Sequence, residues 1–393
     1  MSNEQVQRYQ RQGNQTLRFG CLTFVGLFFV FCVLCSGLYG TAMFMTEPGF
    51  FIIATILATM TAVPYGALLW WLDHNEPEPV SLLVTSFLWG ACVSTMLSIV
   101  FNTTSGSIFL GLVGDAGLAN FLTASLSAPF FEELTKGAAV MLLFFLFRQE
   151  FDNVLDGIVY GAFIGLGFAW FENITYYLNA AMDGGMGGML QNAWARGVVS
   201  ATGGSHAAYT ALTGAGFGLV RMIRRGALRW LLIPLFLGLS MFAHFAWNTF
   251  VGPVVFITSP DSTAIQYLVG LPIAVLILQM PFTLLLVVTV MLSWRHENRI
   301  IRKFLREAAP GVVTAEELSL LVPTRRRIAV NTRRFFSEGP SKWWLHKRLA
   351  RNQIDLAFLR WHHEEDKITW EPDQDKDILL LRRNIKLIRA QLA

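Results

Sequence analysis

Long apolar runs separated by short polar links set the pattern of this chain. A hydrocarbon core about 30 Å thick needs about 20 apolar residues of helix. That criterion predicts eight spanning helices, over 19–45, 50–72, 80–101, 118–147, 154–178, 195–220, 229–251 and 264–294. The first run is longer than a signal-peptide core and has no small-residue cleavage site, so it is predicted to stay as a helix. The stretch 102–128, with its Gly, Ser and Asp residues, reads as an outer loop, an interfacial segment or a re-entrant turn before Pro129. Beyond residue 294 the periodic signal changes to a mixed polar region with two helical stretches, 341–364 and 374–392. The second carries an apolar face of Ile378, Leu379, Leu381, Ile385, Leu387, Ile388 and Leu392. The expectation is an all-α polytopic transmembrane helix bundle, divided into a cytoplasmic N-terminal segment (1–18), a membrane domain (19–294) and a basic cytoplasmic helical tail (295–393).

Composition agrees with that class. Hydrophobic residues make up 53% of the chain and charged residues only 15%, and the mean hydropathy is +0.46; a soluble domain of this length is excluded. The net charge of +4 conceals an asymmetry. Residues 1–294 hold 10 Lys/Arg against 14 Asp/Glu, and residues 295–393 hold 21 against 13. Basic residues gather before the first span (Arg8, Arg11, Arg18), between the sixth and seventh (Arg221, Arg224, Arg225, Arg229) and after the eighth (Arg295, Arg299, Arg302, Lys303). The links around Glu47, Asp115, Asp183 and Asp261 hold almost none, Arg196 excepted. The positive-inside rule then places both termini in the cytoplasm, in a cell membrane. Cys21, Cys32, Cys35 and Cys92 lie in apolar runs and read as filler. The basic tail is expected to touch anionic lipid, with no nucleic-acid partner. His362-His363-Glu364-Glu365-Asp366 reads as a solvated helix surface and is assigned no site.

Six ionisable side chains interrupt the apolar runs: Glu132, Glu133, Lys136, Glu172, His206 and His244. Each charge at bilayer depth costs about 2.5–3.5 kcal/mol on insertion scales, which makes such residues candidate functional groups. With Pro129 in the first turn of its helix, the two glutamates fall near the positive end of the helix dipole. All four helices can bring their polar residues to the outer half of the bilayer. Lys136 follows Glu132 by one turn, and Asn248 follows His244 by one turn. The plain structural account is a neutralising Glu132–Lys136 pair and two hydrogen-bonded interior histidines. Their coincidence on successive spans favours chemistry, because water activation needs a carboxylate base together with an electrophile or oriented donors.

The residues follow an ordered set of motifs: EExxK at Glu132–Lys136, FxxxE(N) from Phe168 through Glu172 to Asn173, and HxxxT and HxxxN headed by His206 and His244. In this order they resemble the PrsW family of intramembrane proteases, relatives of the CAAX prenyl endopeptidases. The connector Asp73-His74-Asn75-Glu76-Pro77-Glu78-Pro79 also looks like that family's D-x-x-EPEP link, and the resemblance covers residues 50–250. It implies an intramembrane peptidase with Glu132, Glu133, His206 and His244 as catalytic groups, and site-1-type cleavage of a single-pass, anti-sigma-factor-like membrane protein. Other proteolytic patterns are absent from the sequence: there is no HExxH, Gly111–Asp115 fails GxGD, and Ser205 and His206 are neighbours rather than a separated pair. The expected mechanism gives a water's proton to Glu133 in preference to Glu132. His206 and His244 then bind either a divalent metal such as Zn2+, with Glu172 as a further ligand, or the developing oxyanion. Asn248 orients His244 or donates to the oxyanion, and Lys136 neutralises the glutamates. Two rivals remain from other classes: a transporter or proton channel built on the same Glu, His and Lys residues, and a catalytically silent scaffold that binds membrane segments.

Overall fold

The computed structural model describes residues 3–148, 150–223, 225–259, 262–306, 311–365 and 375–392, with side chains from Thr23 onward apart from Phe24 and Glu365. The side chains of Arg8, Arg11, Arg18 and Cys21, and all of Arg224, Asp261 and Asp366, lie outside the described residues. Among the described residues every regular element is helical. The chain divides into two compact units, one of residues 1–72 and 78–286 and the other of residues 73–77 and 287–393.

In the first unit, α1 (Asn3–Thr46) and α2 (Pro48–Leu72) precede α3 (Val80–Leu88). A wide, π-type turn over Trp89–Ser94 then runs on into α4 (Thr95–Val113). The segment left open in the sequence is therefore a helical hairpin. The chain reverses at Gly114, and Asp115 caps the next helix by accepting from the Leu118 N–H at 2.6 Å. That helix, α5 (Ala116–Leu122), passes through a second π-type turn at Thr123–Ser127 into α6 (Ala128–Leu146). Pro129 stands in the first turn of α6, as expected, but α6 continues from α5 through the π-type turn, where the Ala128 N–H already reaches back to Thr123. No helix terminus stands beside the glutamates, and the expected dipole contribution is not supplied there.

The centre of this unit is α7 (Val154–Asn192) with α8 (Ser205–Met222). Their stretch is 83% buried over its most apolar window, against 11–44% for the other apolar helices. An Asn153–Asp156 capping box starts α7. The helix turns back at Gly184–Gly185, passes a π-type turn at Ala193–Ser200 and breaks at Gly203–Gly204 before α8. The expected sixth span, 195–220, is therefore a broken helix. α8 returns antiparallel to α7 at backbone distance. Gly157 lies against Gly214, Gly161 against Thr210 and Gly165 against His206, and a Cβ at any of the three glycines would overlap the facing carbonyl. After the short turn Ala227–Leu231, α9 (Leu232–Thr258) follows. Next, α10 (Thr263–Ile265), α11 (Leu271–Ala274) and α12 (Met280–Arg306) run as one rod joined by π-type turns.

Six of these helices are long and apolar enough to cross a membrane. They differ from the eight expected spans in two places. The fifth and sixth expected spans are counted together as Val154–Met222, although the chain turns back at Gly184–Gly185 and breaks at Gly203–Gly204 within it, and α6, which carries Glu132, Glu133 and Lys136, is not among the six.

The second unit takes over within α12. Ile300, Ile301, Phe304 and Leu305 form a core with Leu321 of α13 (Ala315–Leu321) and with Ile354, Ala357 and Phe358 of α14 (Thr324–Glu365). The apolar face of α15 (Lys376–Leu392) is used internally in part, with Leu379 and Leu387 left exposed. Its Ile378, Ile385 and Ile388 are buried with Leu349 and Leu356 of α14. The connector 73–77 belongs to this unit. The buried Asn75 side chain donates to Glu297 and accepts from Arg327, and its carbonyl accepts from Arg351 at 3.3 Å. Glu76 meets His362 at 2.7 Å. Burial pushes the Arg327 guanidinium down to about 10, with Glu297 opposing the shift.

Candidate active site

Four helices of the first unit converge their polar residues on one point. α6 brings Glu132, Glu133 and Lys136 on adjoining turns, α7 brings Glu172, α8 brings His206 and Thr210, and α9 brings Ser240, His244 and Asn248 at four-residue spacing on one face. The Gly203–Gly204 break sets His206 in the first turn of α8; Gly204 has φ +86°, which a residue with a Cβ rarely adopts.

Glu133 is the anchor of the cluster. Its side chain is 0% exposed and accepts four hydrogen bonds: from Lys136 Nζ at 2.8 Å, Ser240 Oγ at 2.9 Å, Thr210 Oγ1 at 3.1 Å and His244 Nδ1 at 3.2 Å. A carboxylate with this many donors is fully satisfied without water. Glu132, 6% exposed, receives Asn102 of α4 at 3.2 Å and Lys136 at 3.4 Å, and lies 3.9 Å from His244 Nε2. Glu172, 20% exposed, meets His206 Nε2 at 2.9 Å and Arg196 at 2.5 Å, both on Oε2. The three carboxylates are therefore graded from sealed to open. Lys136 is completely buried, with Nζ 3.1 Å from His206 Nδ1 and 3.6 Å from the Phe168 ring centroid. The imidazoles are wedged in place. Their ring centroids are 4.8 Å apart, Tyr209 stacks on His244 at 5.2 Å, and Phe168 packs on His206 at 5.0 Å.

A cavity of about 570 Å³ opens on this cluster. Glu132, Glu172, His206, His244 and Asn248 line it; Glu133 and Lys136 do not. Asn248 donates to the Ala124 carbonyl at 2.8 Å and not to His244. Seven residues singled out in the sequence are thus brought together, in two layers: five at the cavity, and two sealed behind it. Asn102, Arg196 and Ser240 had no site role in the sequence, and Thr210 stood there only as the last residue of the HxxxT motif. Asn102 directly follows the apolar run 80–101 and Arg196 is the basic exception among the outer links, while Ser240 and Thr210 stand one turn from His244 and His206, a spacing that carried the signal.

The donor set suits a metal. One ligand atom each from Glu132, His206 and His244 lies within 4.8 Å of the others, and two imidazoles with one carboxylate and an open position form a common zinc donor set. Both histidines are further oriented by a carboxylate on their other contacts, His244 by Glu133 and His206 by Glu172. The Lys136 ammonium addresses the same donors, so a bound cation requires it to rest on Glu133, its nearest partner. Glu172, expected as a ligand, falls outside this close group and stands behind His206.

A helical bundle with six membrane-length apolar helices and buried Glu, His and Lys groups at the end of a cavity defines an integral membrane enzyme. Comparison with known proteins narrows the class. A family described as PrsW family intramembrane metalloprotease matches residues 78–286. The chain is 31% identical over 170 residues to Protease PrsW of Geobacillus kaustophilus, covering 42% of this chain and 67% of that protein. It is 28% identical over 186 residues to Protease PrsW of Halalkalibacterium halodurans (46% and 77%), and 30% identical over 111 residues to that of Bacillus subtilis (28% and 47%). No solved structure gives a significant match. The chain belongs to the PrsW family and is an intramembrane protease.

Proposed function

We propose that the protein hydrolyses a peptide bond of a single-pass membrane protein in the outer half of the bilayer, as in site-1-type cleavage of an anti-sigma-factor-like substrate. The reading includes eight spans, both termini cytoplasmic, in the cell membrane. The observation that carries the mechanism is the graded exposure of Glu133, Glu132 and Glu172. A base must reach water. The carboxylate open to the cavity, Glu172, is therefore assigned that role in place of Glu133, which the sequence alone favours.

Glu132, His206 and His244 would hold a divalent cation such as Zn2+, which when bound polarises the scissile carbonyl and acidifies the adjacent water. Glu172 takes the proton of the attacking water in the cavity while Arg196 and His206 fix the carboxylate through Oε2. The hydroxide adds to the carbonyl carbon. Asn248 donates one amide proton to Ala124 and offers the other to the oxyanion. Glu172 then returns its proton to the departing amine as the C–N bond breaks. Glu133 takes no proton: it holds Lys136 and the His244 ring in place.

The test pairs cleavage of a co-expressed single-pass substrate with the metal content of the purified protein, measured by mass spectrometry. Glu132→Gln should lose both. Glu172→Gln should keep the metal and lose cleavage by about 10²–10⁴-fold. Cleavage by Glu172→Gln at wild-type yield would remove it as the base, and loss of metal from that variant would return Glu172 to the ligand set.

A further inference from the structure

The basic tail is expected to touch anionic lipid, and Ile378, Ile385 and Ile388 of the α15 apolar face are buried within the second unit. The unit exposes a different surface. α14 breaks at Gly339–Pro340, and around the break stand Phe336, 81% exposed, Trp344, 51% exposed, and Phe335, also exposed. Phe335, Phe336 and Trp343 form a contiguous aromatic cluster, with the Phe335 ring 5.2 Å from Phe336 and 5.3 Å from Trp343, and Trp344 follows Trp343 in α14. Cations frame it. Lys347 stands 5.2 Å from the Trp343 ring and Arg348 4.5 Å from that of Trp344. Between residues 333 and 348 there are five Lys/Arg (Arg333, Arg334, Lys342, Lys347, Arg348) and one acid, Glu338. That acid is already engaged by Arg334 at 3.6 Å and His346 at 3.0 Å.

We propose that this aromatic–basic face, on both sides of the Gly339–Pro340 break, docks on an anionic lipid surface. Charge and tethering both favour this occupant. Exposed Trp and Phe flanked by Lys and Arg is the composition that settles at the headgroup level, where the rings leave water and the cations meet lipid phosphate. An aqueous protein surface gains nothing from Phe336 at this exposure. The unit begins inside α12, the helix that carries the last apolar stretch. A bilayer is therefore always within reach, and docking is an intramolecular event that needs little intrinsic affinity. The cations select the leaflet with negative surface potential, and the interaction weakens as salt screens it.

The experiment uses the full chain in lipid nanodiscs, with Cys21, Cys32, Cys35 and Cys92 replaced by Ala and an environment-sensitive fluorophore on the cysteine of Phe336→Cys. Discs of phosphatidylcholine alone are compared with discs of about three parts phosphatidylcholine to one of phosphatidylglycerol, each with and without doxyl-labelled lipid. In the anionic discs the label should shift to the blue and be quenched about twofold or more, and the effect should fall with added salt. The same label in Arg333→Gln/Lys342→Gln/Lys347→Gln, checked for an unchanged melting curve, should behave as in phosphatidylcholine. A label that stays unquenched in anionic discs overturns the proposal. Equal quenching in both compositions overturns the anionic surface as the occupant. Protection in detergent accompanied by cross-linking between copies assigns the face to self-association instead.

Discussion

Glu133 shows what a single side chain does at this depth. It compensates the buried Lys136 charge and gathers Ser240, Thr210 and His244 onto one carboxylate. Glu133→Ala leaves a fully buried ammonium without its nearest partner, and removal of one member of a buried pair costs about 3–5 kcal/mol. The variant should lose activity together with stability, visible as a large fall in the unfolding midpoint in detergent. Glu172→Gln, by contrast, should lose activity with little change in that midpoint. The sequence shows six of the ionisable groups, because charge in an apolar run is conspicuous, but not the part of Arg196, which reads there as a link residue. It does not show which glutamate is sealed: adjacent positions on one helix differ by about 100°, and the choice between Glu132 and Glu133 is made by Ser240 and Thr210, two small hydroxyls with no charge to mark them.

At the scale of the helix, the contact between α7 and α8 ties packing to chemistry. Gly165 faces the His206 carbonyl so closely that a methyl group cannot enter. Gly165→Ala should push α8 away and displace His206 from Glu172, reducing cleavage by an order of magnitude or more, in line with the steep distance dependence of positioned groups. Gly252→Ala is the control. Nothing lies within 4 Å of a Cβ there, and in an exposed helix Ala is better than Gly by roughly 0.5–1 kcal/mol, so activity should be unchanged. Hydropathy located these helices to within a few residues at most ends, and it ran the sixth span, 195–220, straight across Gly203–Gly204. It did not find the break there, nor the π-type turns at Trp89–Ser94 and Thr123–Ser127, because a wide turn keeps the apolar pattern running and differs only in which carbonyl each N–H selects.

For the whole molecule, basic residues predict the side of each link. A reporter fused at residue 224 should behave as cytoplasmic and one at 184 as external; the opposite result would put the carboxylate cluster in the inner half of the bilayer and end the site-1-type reading. The change of composition after 294 was plain in the sequence, yet the attachment of residues 73–77 to the second unit was not. Five residues between two apolar runs carry no periodicity to read. Asn75→Ala should leave Glu297 and Arg327 short of a buried partner, costing about 1–3 kcal/mol, and should speed limited proteolysis within 311–365 while leaving the apolar helices protected. The same clasp has a bearing on the order of synthesis. Asn75 leaves the ribosome 222 residues before Glu297 and 252 before Arg327, and Glu76 leaves 286 before His362. While the intervening helices are still being made, the link has none of these partners. It closes only once residue 362 has been made, so a nascent copy shorter than that is distinguishable from a longer one by whether a protease can cut at 73–77.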